Sequence, residues 1–325
     1  MSTASFVNAG AKHANVILNH DPSPGVVVAM GGGGARGLAH LGAMEAIGGA
    51  GVRTERIVGV SIGSLMGSLC AIDLDIKRVQ AKAIELLHSP IFSGKCRGLM
   101  DDAEKVSKRK ADQSESSTPL DWFATWYRRL EKMMRHGHRL SKIMSGPAMM
   151  SNALLNEAIE SLIPDIDIRE TNCPLSIVAA DLKSGHRVVI ESGSLRRAIL
   201  ASMSIPGFFP PIQWDGMLLT DIGVLDSIPV LVAQSYGLPT IAIDVGSNLR
   251  SGDSFGTTVD VMLRMEELGE AICRRHALAL ADVVIRPDVG EFPWYDFTTP
   301  EQLIDLGRNA GKRSEVSLKQ FSQSS

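Results

Sequence analysis

A serine lies at the centre of the pentapeptide Gly59-Val60-Ser61-Ile62-Gly63, which joins a β-branched run to a segment of small and apolar residues. A G-x-S-x-G sequence between a strand and a helix predicts a sharp turn that projects the serine hydroxyl, with the flanking Gly59 and Gly63 giving room for it. The chemistry served by such a hydroxyl is nucleophilic attack on a carbonyl carbon. The alternative is a tight helix N-cap, in which the Ser61 hydroxyl bonds backbone N–H groups.

A second glycine-rich turn comes one strand–helix unit earlier. It consists of Gly32, Gly33, Gly34, Ala35, Arg36 and Gly37. A dinucleotide site would need an acid at the end of the following strand, but Glu55 precedes that strand and Ser61 occupies its end. A phosphate-binding P-loop would need Gly-Lys-Ser or Gly-Lys-Thr, which is absent. Because both turns meet at one sheet edge, the pattern favours an oxyanion hole formed by backbone N–H groups around Gly33 and Gly34.

A serine nucleophile also needs a base. In a Ser-Asp-His triad of the α/β-hydrolase order, the histidine follows the acid in the sequence. The candidate histidines are therefore the two that lie late in the chain, His186 and His276. His276 lies in a helix-like stretch beside two arginines and His186 flanks a turn, patterns typical of solvated histidines. A triad through His276 therefore stays open as an alternative, and the other choice is a carboxylate base.

Three ordered motifs resemble the signature of the patatin-like phospholipases: a glycine-rich oxyanion loop, a G-x-S-x-G turn, and a late Asp-Gly-Gly or Asp-Gly-Ala. The third motif is represented here by Asp221-Ile222-Gly223, after a block, Ala201–Pro211, that is similar to the family's. The resemblance covers roughly residues 25–250. It implies acyl transfer from phospholipid, lysophospholipid or acylglycerol esters, with Ser61 as nucleophile, Asp221 as base, and no metal or cofactor.

Ile222 departs from the family pattern, because it stands where the family has glycine. A β-branched residue tolerates positive φ poorly, so a turn that needs positive φ would displace Asp221 and weaken activity. A non-catalytic lipid-binding or regulatory protein is the hypothesis that this departure supports. Asp215-Gly216, between two apolar segments, predicts a hairpin turn instead. Asp244, which follows an apolar strand, is the reserve carboxylate.

Alternating strands and helices must position these motifs. The predicted strands are Val26–Met30, Arg56–Val60, Leu175–Ala180, Arg187–Ile190, Met217–Thr220, Thr240–Val245 and Ala281–Ile285. The predicted helices are Leu38–Ile47, a helix from Ile62, Leu195–Ser202, and helices near 228–236, 257–279 and 300–319. Strand–helix alternation predicts a three-layer α/β/α sandwich with a central, mostly parallel sheet, as the patatin-like resemblance also implies.

The predicted organisation is an N-terminal tail over 1–24 and a hydrolase domain over 25–325, interrupted by a polar insertion and an amphipathic helix at about 93–148. The insertion is rich in charge and lacks aromatic residues over Asp101–Thr118, which predicts mobility. In the following helix, Leu120–Arg135, one face carries Trp122, Phe123, Trp126 and Tyr127, and the opposite face carries basic residues. Such a helix suits a peripheral membrane contact or packing on the core, and both interpretations stay open.

The overall composition excludes several classes of protein. Thirty-three Lys and Arg against 36 Asp and Glu give a net charge of −3, without the basic excess of a nucleic-acid-binding protein. The longest uncharged runs stop short of the ~20 residues that a spanning helix needs. The four cysteines are scattered without metal-ligand spacing, and no signal peptide is evident. We therefore expect a cytoplasmic protein, with no metal and no nucleic-acid partner.

Overall fold

The structure is a computed structural model that describes residues 25–89, 148, 151–247, 249, 258–294 and 296–322. Within these residues eight strands form one sheet. They are β1 (Val26–Met30), β2 (Thr54–Val60), β3 (Leu175–Asp181), β4 (Arg187–Ile190), β5 (Ile212–Trp214), β6 (Met217–Thr220), β7 (Thr240–Ile243) and β8 (Val283–Ile285).

The sheet is parallel at its centre and antiparallel at one side. Strands β3, β2, β1, β7 and β8 are neighbours in that order and run parallel. Strand β3 also pairs antiparallel with β4 and β6, and β6 pairs antiparallel with β5. Parallel strands place their carboxyl ends at one edge, so the turns after β1 and β2 lie side by side.

Helices cover both faces of this sheet. They are α1 (Ala39–Gly49), α2 (Ile62–Ile72), α3 (Ile76–His88), α4 (Ala153–Leu162), α5 (Leu195–Met203), α6 (Val230–Gln234), α7 (Thr258–Leu278), α8 (Pro300–Arg313) and α9 (Glu315–Lys319), with 3-10 turns at Gly34–Leu38 and Ile168–Glu170. Strand β1 shows why helices must pack on both faces of the sheet. Its residues Val26, Val28 and Met30 belong to one buried cluster, whereas Val27 and Ala29 belong to a second.

The two clusters define the three layers. The larger one takes buried side chains from α1 to α5, α8 and α9, and the smaller one from α6 and the end of α7. Every residue of β1 is fully buried, as expected for a central parallel strand covered on both faces. The predicted three-layer α/β/α fold with a mostly parallel sheet is therefore confirmed.

Most predicted elements occur within a few residues of their predicted bounds, and four differ in kind. Strand β5 and helices α3 and α4 were not predicted, and the helix expected over 300–319 is two helices that meet at Ser314. The Asp215-Gly216 hairpin is confirmed, because both residues have positive φ between the antiparallel strands β5 and β6. The expected tail over 1–24 and the segment Leu120–Arg135 lie outside the described residues.

Candidate active site

Strand pairing brings the ends of β2 and β6 together. Val178 of β3 pairs with Val60 of β2 on one side and with a residue of β4 on the other. Ala180, two residues further, pairs with β4 and with Thr220 of β6. Since β4 occupies one side of β3 at both positions, β2 and β6 share the opposite side. They run in opposite directions, so the residues after their ends, Ser61 and Asp221, arrive at the same level of the sheet.

Ser61 has the backbone conformation of a strained turn. Its φ of 53° and ψ of −128° place it among the only two described non-glycine residues with positive φ. The turn is compact, because a Cβ at Gly63 would lie 2.3 Å from the carbonyl oxygen of Met30. A Cβ at Gly59 would lie 2.5 Å from the carbonyl oxygen of Gly63. The two glycines therefore let the turn close, and the half-buried Ser61 is left at the sheet edge.

Hydrogen bonds hold the backbone of Ser61 on both sides. Its N–H donates to the Oγ of Ser202 on α5 at 2.9 Å. Its carbonyl oxygen accepts from the N–H of Ser64 at 2.9 Å and from the Ser64 Oγ at 2.6 Å. The Ser61 hydroxyl takes no part in these bonds and forms no N-cap bond. The N-cap interpretation of Ser61 is therefore wrong, and its hydroxyl remains available for chemistry.

The group that lies next to Ser61 across the sheet edge is the carboxyl group of Asp221, since the residues after β2 and β6 reach the same level of β3. Asp221 is 7% exposed. Burial raises the pKa of Asp221 to about 6, although the interaction with the Ser61 side chain and the hydrogen bond from the Gly223 N–H each lower it. A carboxylate with this pKa is ionised at neutral pH yet basic enough to accept a proton.

The turn after Asp221 does not need glycine at its middle position. Ile222 is absent from the positive-φ residues, and its side chain is buried in the smaller core cluster. The N–H of Gly223 donates to the Asp221 Oδ1 at 2.7 Å, and a Cβ at Gly223 would lie 3.0 Å from that oxygen. The condition under which Ile222 would displace Asp221 is therefore not met, because the turn does not need positive φ at Ile222 and the close approach falls at Gly223.

The glycine loop lies beside Ser61. A Cβ on Gly32 would lie 3.3 Å from the Cβ of Ser61, so the glycine loop and the Ser61 turn are in close contact there. The N–H groups of Gly31, Gly32 and Ala35 donate to backbone carbonyl oxygens. Within the described ranges, no acceptor is present for the N–H groups of Gly33 and Gly34. These two amides lie at the N-terminal end of the 3-10 turn that continues into α1, where the helix dipole also favours negative charge.

Three contacts fix the shape of this loop. Gly34 has φ +60°, and a Cβ there would lie 2.1 Å from the carbonyl oxygen of Trp294. The same oxygen accepts from the N–H of Ala35 at 2.6 Å. The Nε of Arg36 donates to the carbonyl oxygen of Gly33 at 3.1 Å, and Gly37 packs against Ile62. Arg36 thus binds the loop itself.

His40 is a site residue that the sequence analysis missed. It is fully buried on α1, and its Nε2 donates to the carbonyl oxygen of Gly31 at 2.8 Å. Burial lowers the pKa of His40 to about 4, so the ring is neutral near pH 7 and its Nε2 carries the proton. The sequence held one indication of this role, because His40 comes one helical turn after Gly37, on the face that meets the glycine loop.

The other candidate bases lie elsewhere. His276 is exposed on the last turns of α7, and His186 is exposed in the β3–β4 turn. Asp244 is 3% exposed and forms ion pairs with the Nε of Arg286 at 2.9 Å and the Nη1 of Arg274 at 3.4 Å. Two arginines neutralise this carboxylate, which gives Asp244 a structural explanation.

Two further observations bear on binding. In the part of the chain that the structure describes, no group of three or more His, Cys, Asp or Glu side chains is arranged to hold a metal ion. None of the described helices is both long and apolar enough to cross a bilayer.

Comparison with known proteins supplies the family. Patatin-like phospholipase domain-containing protein 6 of Mus musculus is 26% identical over 315 residues, which are 88% of this chain and 20% of that protein. Lysophospholipase NTE1 of Saccharomyces cerevisiae is 25% identical over 309 residues, 87% of this chain and 16% of that protein. VipD from Legionella pneumophila is a solved structure with a TM-score of 0.43 and 17% identity, covering 93% of this chain and 67% of its own.

This chain spans about a fifth of the first of these curated relatives. Residues 28–233 match the family model described as Patatin-like phospholipase. The matched range begins in β1, before the glycine loop, and ends in α6, beyond Asp221. Since the match covers more than half of the sequence, the chain belongs to the patatin-like phospholipase family.

Proposed function

We propose that this protein hydrolyses carboxylic esters of lipids through Ser61 as nucleophile and Asp221 as general base. The observation that carries the proposal is the placement of Ser61 and the buried Asp221 at the same level of the sheet, where β2 and β6 end, with the Ser61 side chain lowering the pKa of the Asp221 carboxyl. The adjacent loop supports it, since the N–H groups of Gly33 and Gly34 have no backbone acceptor within the described residues.

The proposed reaction begins with the ionised form of Asp221. Its carboxylate accepts the proton of the Ser61 hydroxyl while the Oγ attacks the ester carbonyl carbon. The resulting oxyanion accepts hydrogen bonds from the N–H groups of Gly33 and Gly34. The intermediate collapses when the carbon–oxygen bond to the alcohol breaks, and the alcohol leaves with the proton that Asp221 holds. Water, deprotonated in turn by Asp221, then attacks the acyl–Ser61 ester. The bond to the Ser61 Oγ breaks, the Oγ takes back the proton from Asp221, and the fatty acid is released.

The substrate class that we propose is a phospholipid, lysophospholipid or acylglycerol. Support comes from the family and from relatives whose names state phospholipase and lysophospholipase. In the proposed mechanism, neutralisation of the oxyanion depends on backbone N–H groups and the helix dipole.

The direct test is covalent labelling with a fluorophosphonate probe, which reacts with an activated serine. We expect stoichiometric labelling of the wild-type protein, none of Ser61→Ala, and a rate reduced at least about a hundredfold in Asp221→Asn, because a positioned general base contributes about 10²–10⁴-fold. Hydrolysis of a short soluble ester should fall in parallel. A folded wild-type protein that the probe does not label would instead support the non-catalytic, lipid-binding hypothesis.

We also propose that Leu120–Arg135 contacts the lipid surface, from its sequence alone, because it lies outside the described residues. Aromatic side chains on one face and basic ones on the other suit anionic head groups. Replacing Trp122 and Trp126 with Ala should weaken binding to anionic liposomes while sparing hydrolysis of a short soluble ester. Equal losses with both substrates would show that the segment packs on the core.

A further inference from the structure

We infer that the hydroxyl of Ser202 is a positioning residue for the nucleophile, because it holds Ser61 in the strained conformation that catalysis uses. The inference rests on the proposed function, since it assigns a role in the same reaction. Ser202 lies on α5 and belongs to a different part of the sequence from the G-x-S-x-G turn.

The first argument is the strain at Ser61. A non-glycine residue with φ 53° and ψ −128° lies outside the common regions of backbone space, so it persists only if its surroundings oppose relaxation. Relaxation would rotate the peptide bond before Ser61 and move its N–H. That N–H is the group that Ser202 holds, at 2.9 Å from the Oγ.

The second argument is that Ser202 makes two bonds at once. Its Oγ accepts from the Ser61 N–H and donates to the carbonyl oxygen of Val178 at 2.7 Å. Val178 is the residue of β3 that pairs with Val60, directly before the turn. The hydroxyl therefore extends the β2–β3 pairing by one residue at the point where the chain leaves the sheet. Ser202 is fully buried, so no bulk solvent replaces it when the hydroxyl is removed.

The third argument is the contrast with Ser68 of α2. Ser68 is also fully buried, but its Oγ donates to the carbonyl oxygen of Ser64, one turn earlier in the same helix, at 2.6 Å. Ser68→Ala therefore removes a buried hydroxyl and one hydrogen bond within a helix, rather than a bond between a helix and the Ser61 turn, which makes it a matched control.

The experiment compares Ser202→Ala with Ser68→Ala in the full chain by two measurements. The first is the second-order rate of fluorophosphonate labelling, which should fall on the order of tenfold to a hundredfold in Ser202→Ala, since small misplacements of a reacting group have effects of that size. Ser68→Ala should stay within about threefold of the wild type. The second is hydrogen–deuterium exchange of the peptide that contains Ser61, which should be faster in Ser202→Ala only, by about tenfold or more.

Each outcome decides the inference. Equal effects of the two substitutions on labelling and exchange would overturn it and show that Ser202 is an ordinary core residue. The exchange measurement needs no turnover, so it tests the Ser202–Ser61 bond even if the wild type is not labelled and the proposed function fails. Should Ser202→Ala not fold, Ser202→Cys puts a slightly larger thiol, a weak donor and acceptor, in the same place, and the same two rates should change in the same directions.

Discussion

Replacing Asp221 with Asn should stabilise the folded protein at neutral and alkaline pH while it reduces turnover at least about a hundredfold. The structure buries an ionisable carboxyl whose pKa is raised from 3.8 to about 6. A carboxyl with a raised pKa destabilises the folded state whenever it is ionised. The difference between its folded and unfolded pKa values corresponds to about 3 kcal/mol of lost stability at pH 8. An Asn amide at 221 can still accept from the Gly223 N–H, but an unpaired amide N–H would cost about 1 kcal/mol. We therefore expect a net gain of about 2 kcal/mol.

The pH dependence of this gain identifies its cause. The loss of stability caused by ionised Asp221 is complete above the pKa of about 6 that Asp221 has in the folded protein. It disappears below 3.8, the pKa in the unfolded chain, because Asp221 is then protonated in both states. Urea denaturation of both proteins between about pH 4 and pH 8 measures the difference in free energy of unfolding. Other groups that titrate in this range, such as Asp226 and His40, are common to both proteins and cancel in the difference. A gain that is absent at pH 8, or equal at every pH, would refute the reasoning.

Three further predictions concern activity. Ester hydrolysis should fall about tenfold per pH unit below about pH 6, because the proposed base Asp221 must be ionised; a flat acid limb in the pH–rate profile would contradict that role. His276→Ala should leave kcat within about twofold, since the ring is exposed on α7, and near-complete loss of turnover in a folded variant would favour the Ser-Asp-His triad. Gly34→Ala should reduce the labelling rate about 10²–10³-fold, because a Cβ there meets the carbonyl oxygen of Trp294, whereas Gly48→Ala, whose Cβ meets nothing within 4 Å, should leave the rate unchanged.

The local parts of the site could be predicted from sequence because each depends on neighbours in the chain. The turn at Ser61 follows from a strand, two glycines and a helix in succession. The hairpin at Asp215-Gly216 follows from turn residues between apolar runs, and both residues indeed have positive φ. The glycine loop was placed by the same kind of local pattern, so the successes share one physical basis: backbone conformations that only certain residues adopt.

The long-range parts could not be predicted in this way. The meeting of Ser61 with Asp221 depends on the antiparallel pairing of β6 with β3, and nothing in the short segment Met217–Thr220 specifies its partner or direction. His40 and Ser202 were missed for a related reason. Each is a buried polar residue whose role is a hydrogen bond to a backbone group of another element, and such bonds leave no periodic pattern in the sequence.

The departure at Ile222 shows how a motif and its physical requirement can differ. The family pattern draws attention to the residue directly after the aspartate, but the geometry constrains the second residue after it. Gly223 approaches the carboxylate so closely that its N–H donates at 2.7 Å, and this bond helps to keep the pKa of the buried Asp221 from rising further. Ile222 instead buries an apolar side chain in the core, which anchors the turn. The substitution therefore falls at the position where the turn tolerates a side chain, and Asp221 stays at the level of the sheet that Ser61 occupies, as the proposed reaction requires.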